Sequence, residues 1–344
     1  MTNYKDVGVN IEATDEMIED ISSYSKKTSR VGEVSGIGGF AGIFDLKKCG
    51  YNDPLLVTST DGIGTKILLG IETGFLDGLG YDLVGMCLND ILCHGADPLF
   101  FLDYYASSKI DKKSFLQVVK SIAKACKDNN CLLIGGETAE MPGVYKSKDF
   151  DLAGFCVGAV ERQNLLPKKK AMKEGDILIG VSSSGFHSNG YSLIRKVLID
   201  HNINLSDPTP FDSIYKNLGN AIMEPTKQYY SELKPFINQN IIKGIAHITG
   251  GGLISNVPRI LPDHLGAKIE YEHLPKPKIF HWFKNIAELS DDDMFKTFNC
   301  GIGLVLVIDE KNHDTFFNLT KKNKNFAKIG RLIKSDKPNY CILN

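Results

Sequence analysis

Hydrophobic positions along the chain recur with two spacings, and together they predict strands that alternate with helices. Short apolar runs typical of strands occupy residues 55–57, 99–105, 131–134, 176–181, 244–248 and 302–308. Apolar residues at helical spacing occupy residues 14–27, 84–92, 113–127 and 193–198. Several strand-type runs lead directly into glycine, so the pattern also predicts glycine turns at strand ends, as at Gly135-Gly136-Glu137.

Two of the predicted helices have a recognisable end or face. Thr14 is the expected N-cap of the first helix, because a threonine followed by acidic residues is typical of a helix start. In the helix at residues 84–92, the apolar stripe leaves Asp82 and Asp90 on the other side. The sequence therefore predicts that both carboxylates face away from the core.

The length of the chain indicates two domains, because 344 residues exceed the size at which one hydrophobic core usually suffices. A polar segment that contains Pro167 and three following lysines is the expected junction between them. We therefore divide the chain into residues 1–166 and residues 167–344.

Composition and charge exclude several classes of protein. Hydrophobic residues make up 42% of the chain and charged residues 24%, as in a soluble globular protein, and the formal net charge is −1. Such a chain has no general attraction to nucleic acid or to an anionic membrane, so neither is expected as a partner. The amino terminus lacks the apolar core of a signal peptide, and no apolar run is long enough to span a bilayer. We therefore expect a cytoplasmic protein. The eight cysteines include no Cys-x-x-Cys pair and several lie in apolar runs, so we expect reduced thiols.

The most informative segment is Asp61-Gly62-Ile63-Gly64-Thr65-Lys66, which follows the first strand-type run. Gly62 and Gly64 let backbone N–H groups approach an anion closely, and Lys66 can meet a phosphate oxygen. Asp61 supplies an oxygen ligand suited to Mg²⁺. The spacing of a Walker A loop is missing, so the segment predicts a phosphate site of another kind.

Asp90 and Glu137 add two further hard oxygen ligands to Asp61. Three carboxylates suffice for a Mg²⁺ ion that also binds water and nucleotide phosphates, so we expect a Mg-nucleotide at these residues. Each residue also has an ordinary structural interpretation. Asp-Gly and Gly-Gly-Glu are common turns, and an acidic residue on a helix usually faces solvent.

Two other segments are candidates for holding a phosphate group. One is the glycine-rich segment at residues 36–42, which we call the glycine loop. The other, at residues 183–190, is the serine loop, which precedes a predicted helix whose N-terminus would offer backbone N–H groups. The candidate phosphate-binding residues in the two loops are Gly36, Gly38, Gly39, Ser183, Ser184, Gly185 and Asn189.

Two histidines are candidates for proton transfer, because histidine titrates near neutral pH. His187 lies in the serine loop, and His247 ends a strand-type run just before Gly250-Gly251-Gly252. On local grounds His187 is equally compatible with a capping turn, and His247 with a hydrogen-bonded core residue.

Taken together, these segments resemble the family of phosphoribosylformylglycinamidine cyclo-ligases, also called AIR synthetases. The resemblance covers nearly the whole chain, and the matching segments occur in the same order. They are Tyr4-Lys5-Asp6-Val7-Gly8-Val9 and residues 36–40, 59–66, 89–90, 95–104, 135–143, 151–155, 183–192, 247–252 and 297–303. The chain departs from the family at Gln228-Tyr229-Tyr230, where aliphatic residues more often flank the tyrosine, and at Asp97, where glutamate is common.

The resemblance implies an enzyme of purine biosynthesis. The reaction is the ATP-dependent closure of the imidazole ring of formylglycinamidine ribonucleotide (FGAM), which gives 5-aminoimidazole ribonucleotide (AIR), ADP and phosphate. An amide oxygen is a poor leaving group, so ATP phosphorylates it and an amidine nitrogen then attacks the activated carbon. The implied cofactors are ATP and Mg²⁺. The implied roles are Asp61, Asp90 and Glu137 around Mg-ATP, Lys66 at a phosphate, and His187 and His247 in catalysis.

The resemblance also implies the architecture. Residues 1–166 would form an ATP-binding α/β domain whose strands pair with those of a second subunit, which makes a homodimer. Residues 167–344 would form an α+β domain that completes the active-site cleft.

Three alternatives belong to related or different classes. A selenophosphate synthetase should carry a reactive cysteine before its glycine-rich loop, and here Cys49 lies beyond it. A formylglycinamidine synthetase would be longer or would depend on a glutaminase partner. A nucleotide-binding module without catalytic activity would not need Lys66 and every carboxylate. A product assay separates all of them.

Overall fold

The computed structural model describes residues 11–146, 148–320 and 323–344, and these residues form two compact units. The first unit contains the described residues up to Ile91 together with Ala96–Arg162, and the second contains Leu92–Gly95 and Gln163–Asn344. The division after Arg162 lies close to the expected domain boundary after residue 166. The motif at residues 4–9 lies outside the described residues. None of the described helices is both long and apolar enough to cross a membrane.

The first unit contains a four-stranded mixed sheet. Its strands are β1 (Pro54–Gly62), β2 (Asp97–Ser107), β3 (Leu132–Glu140) and β4 (Phe150–Glu161), in the order β1-β4-β2-β3. β2 and β3 are parallel, and β4 is antiparallel to β1 and to β2. The register places Asp61, Gly154, Asp103 and Gly136 in one row across the sheet. Because side chains in one row point to the same side of a sheet, Asp61 and Asp103 share a face.

β1 and β3 continue through residues that the sequence predicts as turns. β1 continues through residues 58–62, so Asp61 lies in a strand and the turn begins only after Gly62. β3 runs through Gly135 and Gly136 to Glu140, so the predicted glycine turn at this position is wrong. Gly136 allows β3 to lie close to the side chain of Asp103 on β2, because a Cβ atom on Gly136 would lie 2.5 Å from Oδ1 of Asp103.

In the described part of the first unit, four helices accompany this sheet, namely α1 (Ile11–Lys26), α2 (Lys66–Thr73), α3 (Leu79–Leu92) and α4 (Lys112–Asp128). Thr14 lies inside α1, so the predicted N-cap is wrong. α3 also differs from its prediction, because Asp82 is fully buried and only Asp90 of the two carboxylates keeps an intermediate exposure. The reason is that α3 packs on both sides: Cys87 lies against Gly154 of β4, and Gly80 lies against the backbone of α4. A helix between a sheet and another helix has no solvated face.

The second unit contains a six-stranded sheet. Its strands are β5 (Ile177–Ser182), β6 (Ile242–His247), β7 (Leu265–Ile269), β8 (Ile302–Ile308), β9 (Phe326–Lys334) and β10 (Cys341–Leu343), in the order β10-β7-β9-β5-β8-β6. Every pair is antiparallel except β10 with β7. β8 is buried along its whole length, and its bounds are those that the apolar run predicts.

Among its described residues, the second unit has seven helices: α5 (Tyr191–Asp200), α6 (Leu218–Ile222), α7 (Tyr230–Asn238), α8 (Gly252–Asn256), α9 (Lys278–Ile286), α10 (Asp291–Thr297) and α11 (His313–Leu319). α7 packs Leu233 and Phe236 into a core that contains Ile179 of β5 and Leu306 of β8. This core includes residues along the whole length of β5, and the serine loop follows that strand.

Candidate functional site

Two of the predicted metal ligands lie together in the first unit. Asp61 is near the end of β1 and Asp90 is near the end of α3, and both are half-buried. The hydroxyl of Ser59, on the same face of β1 as Asp61, donates to Oδ2 of Asp90 at 3.4 Å. Burial raises the pKa of the Cys87 thiol, and the negative charges of Asp61 and Asp90 raise it further. The structure therefore brings both carboxylates to the same thiol.

Glu137, the third predicted ligand, lies elsewhere in the unit. It pairs with Tyr104 in the row next to that of Asp61, so the two carboxylates point to opposite faces of the sheet. Two strands lie between β1 and β3, which separates the two backbones by roughly 14 Å at a strand spacing of about 4.8 Å. Across residues 11–146, 148–320 and 323–344, no three His, Cys, Asp or Glu side chains form a group that could hold a metal ion.

The remaining pair, Asp61 and Asp90, still fits one mode of Mg²⁺ binding. Mg²⁺ is commonly held by one or two carboxylates, while phosphate oxygens of the substrate and water complete its octahedron. The chemistry of this donor set therefore suits a Mg-nucleotide better than a metal ion held by protein alone.

Lys66 is in a different environment from the one that the sequence predicts. It is the first residue of α2, and its Nζ lies 2.9 Å from Oδ1 and 2.8 Å from Oδ2 of Asp82. Both side chains are completely buried. Gly64 and Thr65 precede it in a tight turn, in which Gly64 has a φ of 66°. A phosphate group would have to compete with Asp82 for this ammonium group.

The glycine loop has an open tip and a closed base. Neither Gly36 nor Gly38 has any atom within 4 Å of the position that a Cβ would occupy, and Gly38 has a φ of +115°. At the base, the amide of Ile43 donates to the Ser35 hydroxyl at 2.9 Å, and a Cβ on Gly42 would lie 2.7 Å from Ile134. Gly36, Gly38 and the neighbouring Gly39 thus leave their backbone accessible, as an anion cradle requires.

Asp103 is a residue of this unit that the sequence analysis missed. It lies in the middle of β2, and its burial raises the pKa of the carboxyl to about 7. A signal for it does exist in the sequence, because Asp103 is the single charged residue within the apolar run at residues 99–105. Burying a carboxylate among apolar residues costs free energy of folding, so an acid at such a position indicates a functional site.

The serine loop lies in the second unit between β5 and α5. α5 begins at Tyr191, so Ser183, Ser184 and Gly185 do not form a helix N-terminus as predicted. The two serines form hydrogen bonds with neighbouring protein groups. The amide of Ser183 donates to the Gly301 carbonyl at 2.9 Å, and the Ser183 hydroxyl donates to Oδ1 of Asn299 at 2.9 Å. The hydroxyl of Ser184 donates to the carbonyl of residue 225 at 2.6 Å. These donors hold the loop in one shape.

His187 and the end of the strand that carries His247 both lie next to Gly303 of β8. His187 is fully buried with a φ of 60°, and its Cε1 lies 2.8 Å from the position of a Cβ on Gly303. The amide of Ser184 donates to Nε2 of His187 at 3.3 Å, so the neutral ring carries its proton on Nδ1. His247 is buried at the end of β6, and the next residue, Ile248, donates its amide to the Gly303 carbonyl at 2.9 Å.

Two further polar side chains lie near these segments, Tyr229 beside His187 and Asn189 beside the turn after His247. Tyr229 is fully buried, its hydroxyl donates to the Ser182 carbonyl at 3.0 Å, and its ring lies 6.3 Å from that of His187. Burial raises the pKa of this phenol, so it stays protonated. Asn189 reaches the turn after His247, with Oδ1 3.7 Å from the position of a Cβ on Gly250. Sequence reasoning missed Tyr229 as a site residue, because its neighbours Ser182 and His187 are more than 40 residues away along the chain.

Comparison with known proteins identifies two domains in the chain. Residues 41–160 match the N-terminal domain of AIR synthase related proteins, and residues 173–340 match the C-terminal domain of the same proteins. The chain is 44% identical over 335 residues to the trifunctional purine biosynthetic protein adenosine-3 of Bos taurus. That match covers 97% of this chain and 33% of the bovine protein, so the chain spans about a third of its relative's length.

Two solved structures have a similar fold at low sequence identity. Hydrogenase maturation protein HypE in complex with ATP has a TM-score of 0.70 and 15% identity, with 98% of this chain and 93% of that chain covered. Thiamine-monophosphate kinase from Stenotrophomonas maltophilia has a TM-score of 0.69 and 16% identity, with 95% of each chain covered. These likenesses confirm the predicted two-part fold of α/β and α+β type.

Proposed function

The chain belongs to the family of AIR synthase related proteins, and on this basis we propose that it is an ATP-dependent cyclo-ligase of purine biosynthesis. Its substrate is FGAM, and its products are AIR, ADP and phosphate. The purine biosynthetic role of the bovine relative supports this assignment. The observation that carries it is that Asp61 and Asp90 lie beside the same thiol, in a chain whose structural neighbours include a protein solved in complex with ATP.

In the first step, the terminal phosphoryl group of ATP is transferred to the formyl oxygen of FGAM. Asp61 and Asp90 would hold Mg²⁺, which neutralises phosphoryl charge when it is bound. Glu137 then has a separate task, because it lies on the other face of the sheet. The accessible backbone of residues 36–39 favours the glycine loop as a phosphate cradle. The serine loop, whose donors already have partners, contributes instead by holding His187 in place.

In the second step, the amidine nitrogen attacks the activated carbon and phosphate leaves. The nitrogen loses a proton as the ring closes, so the site needs a proton acceptor near neutral pH. His247 and His187 supply imidazole groups for this task, and the fixed Nδ1 proton of His187 suits it to polarise an oxygen. We assign the transfer of the proton to His247 and the positioning of the substrate oxygen to His187.

We propose that Lys66 has a structural role and positions the turn that follows Asp61. Its ion pair with Asp82 anchors the first residue of α2 and thereby fixes the turn that follows Asp61. A fixed turn holds the carboxylate of Asp61 in one place, which favours catalysis by orientation.

A homodimer is part of the same proposal. The sheet of the first unit has an exposed apolar side, on which Leu56 is 61% and Phe155 44% exposed. An apolar patch of this kind usually marks an interface, and a second copy of the same sheet face would cover it. We also propose that residues 1–166 bind ATP, that residues 167–344 complete the site, and that the reaction takes place in the cytoplasm.

The direct test is to incubate the purified protein with FGAM and Mg-ATP and to follow AIR and ADP together. The proposal predicts one ADP for each AIR, and no ADP when FGAM is omitted. Formation of ADP without AIR would indicate a different acceptor for the phosphoryl group. If neither product forms while the protein is folded, the assignment is wrong.

A further inference from the structure

The second unit contains a cavity of about 250 Å³ that is lined by α9, by α10 and by residues 271–277, and we call it the α9 cavity. Its floor is apolar and buried, and it consists of Leu274, Phe280, Met294, Phe295 and Cys300. Burial raises the pKa of the Cys300 thiol to about 12, so this residue stays uncharged. None of the described candidate catalytic or phosphate-binding residues lines this cavity, so it is a separate site.

The walls of the α9 cavity suit a flat ring. Tyr271 and Phe295 both line it, and they meet edge to face with their ring centroids 5.8 Å apart. Pro275 and Pro277 add two saturated rings to the wall. Aromatic rings prefer stacked or edge-to-face contacts, so a ring that enters this space would find suitable partners. A dry cavity of about 150 Å³ accommodates benzene, so a cavity of about 250 Å³ accommodates two fused rings.

The rim of the α9 cavity carries an excess of positive charge. Its charged lining residues are three lysines and one aspartate, namely Lys276, Lys278, Lys284 and Asp291. Two of these lysines form ion pairs with carboxylates: Lys284 pairs with Asp291 at 2.6 Å, and Lys278 pairs with Asp212 at 2.7 Å. An apolar floor below a cationic rim is the lining that a ligand with an apolar body and an anionic end requires.

Lys276 differs from the other two lysines in its partner. Its Nζ lies 5.0 Å from the centroid of the Tyr271 ring, so a cation–π contact holds it beside the aromatic wall. Among the described residues, no carboxylate forms an ion pair with it, and the side chain is exposed. An ammonium group has three hydrogen-bond donors, so Lys276 can bind an anion while it stays on the ring.

We propose that the α9 cavity binds a small aromatic carboxylate, whose ring packs against Tyr271 and the apolar floor and whose carboxylate binds Lys276. A single ammonium group suits a singly charged group, whereas a phosphate usually takes several donors. This site is additional to the proposed reaction and does not depend on it.

The test compares two probes of equal shape, 1-naphthoate and the neutral 1-naphthamide, by titration calorimetry with the full chain. The wild type should bind one naphthoate per chain, and naphthamide about fivefold more weakly or less tightly still, since it lacks the charge. Lys276→Glu should weaken naphthoate binding by about fivefold or more and leave naphthamide binding unchanged. Tyr271→Leu should weaken the binding of both probes by about fivefold, because both lose the aromatic wall.

Lys196→Glu is the matched control for charge. Lys196 is an exposed lysine of α5 outside the cavity, and its ion pair with Asp200 at 2.8 Å lies on the surface. This variant changes the net charge by the same amount as Lys276→Glu, and both probes should bind it as they bind the wild type. Urea unfolding of each variant confirms that the second unit is folded, and the exposed position of Lys276 makes loss of folding in that variant unexpected.

Four results would overturn the assignment. The first is the absence of saturable naphthoate binding to the wild type up to about 5 mM, which would mean that the cavity takes no such ligand. The second is equal affinity of the wild type for the two probes, which would exclude an anion site. The third is an equal loss of naphthoate affinity in Lys276→Glu and Lys196→Glu, which would indicate a general effect of charge. The fourth is unchanged affinity for both probes in folded Tyr271→Leu, which would place the ring elsewhere.

Discussion

The buried ion pair between Lys66 and Asp82 gives the sharpest prediction about stability. Removal of one partner leaves the other charge in the core without its counter-ion, which typically costs about 3–5 kcal/mol. Domains of this kind are stable by only about 5–15 kcal/mol in total. Lys66→Met or Asp82→Asn alone should therefore remove a large part of the stability of the first unit. The double variant Lys66→Met/Asp82→Leu replaces the pair by apolar groups and should recover most of it.

Urea unfolding, followed by circular dichroism and by hydrogen exchange in β1 and α3, measures these changes. Asp53→Asn is the control, because Asp53 forms an ion pair of 2.8 Å with Arg162 on the surface, where both side chains are more than half exposed. Its unfolding midpoint should match that of the wild type, since exposed pairs contribute little. If both single variants of the buried pair unfold within about 1 kcal/mol of the wild type, the reasoning about this pair is wrong.

The same variants also test the role of Lys66. If the double variant regains stability and also regains AIR formation, Lys66 acts through position, as we propose. A stable double variant that has lost more than about 100-fold in kcat would instead assign Lys66 to phosphoryl transfer, where that loss equals about 2.7 kcal/mol of transition-state stabilisation.

Three further predictions concern the acids and the histidines. Asp90→Asn should keep the fold and weaken the apparent affinity for Mg²⁺ by roughly tenfold or more, because an amide replaces an anionic ligand; full activity at low Mg²⁺ in a titration would contradict the metal assignment. His247→Ala should lower kcat and kcat/KM alike by roughly 100-fold or more, whereas His187→Ala should also raise KM; wild-type constants in steady-state kinetics would make both residues structural. The pKa of the Asp103 carboxyl is about 7 in the folded protein and about 3.9 in the unfolded chain, so the folded state holds its proton more tightly and stability falls as pH rises from 4 to 7. Asp103→Asn should abolish this decline, on the order of 1–3 kcal/mol between pH 5 and pH 8, and equal pH profiles of urea unfolding would contradict it.

Much of the fold follows from local sequence patterns. The bounds of β8 coincide with the apolar run at residues 302–308, and α4 extends only one residue beyond its predicted ends on each side. These two elements are predicted well because a local pattern alone determines them. A run that is apolar throughout forms a buried strand, and apolar residues at helical spacing form a helix with one buried face.

The errors occur where a distant residue decides the local structure. Gly135 and Gly136 were predicted as a turn, yet they continue β3, because Gly136 makes room for the side chain of Asp103 on the next strand. Asp82 was predicted to face solvent, but its partner Lys66 lies in another helix. Neither contact has a signal in the local pattern of apolar and polar residues.

The candidate site was predictable to a similar extent. Asp61 and Asp90 were chosen for their chemistry, and the structure brings them to one thiol. Glu137 was chosen on the same grounds, but the order of the strands separates it from them, and strand order cannot be read from spacing. Asp103 was missed because a single acid in a strand carries meaning only once its burial is known.

The central claim is that ATP activates the formyl oxygen of FGAM, and isotope transfer tests it most directly. FGAM labelled with ¹⁸O at the formyl oxygen is converted with unlabelled Mg-ATP in ordinary water, and the released phosphate is analysed by mass spectrometry. Our account predicts one ¹⁸O atom in the phosphate for each AIR formed, because the phosphorylated oxygen leaves with the phosphoryl group. Unlabelled phosphate accompanying AIR formation would contradict it, since ATP would then have been hydrolysed by water.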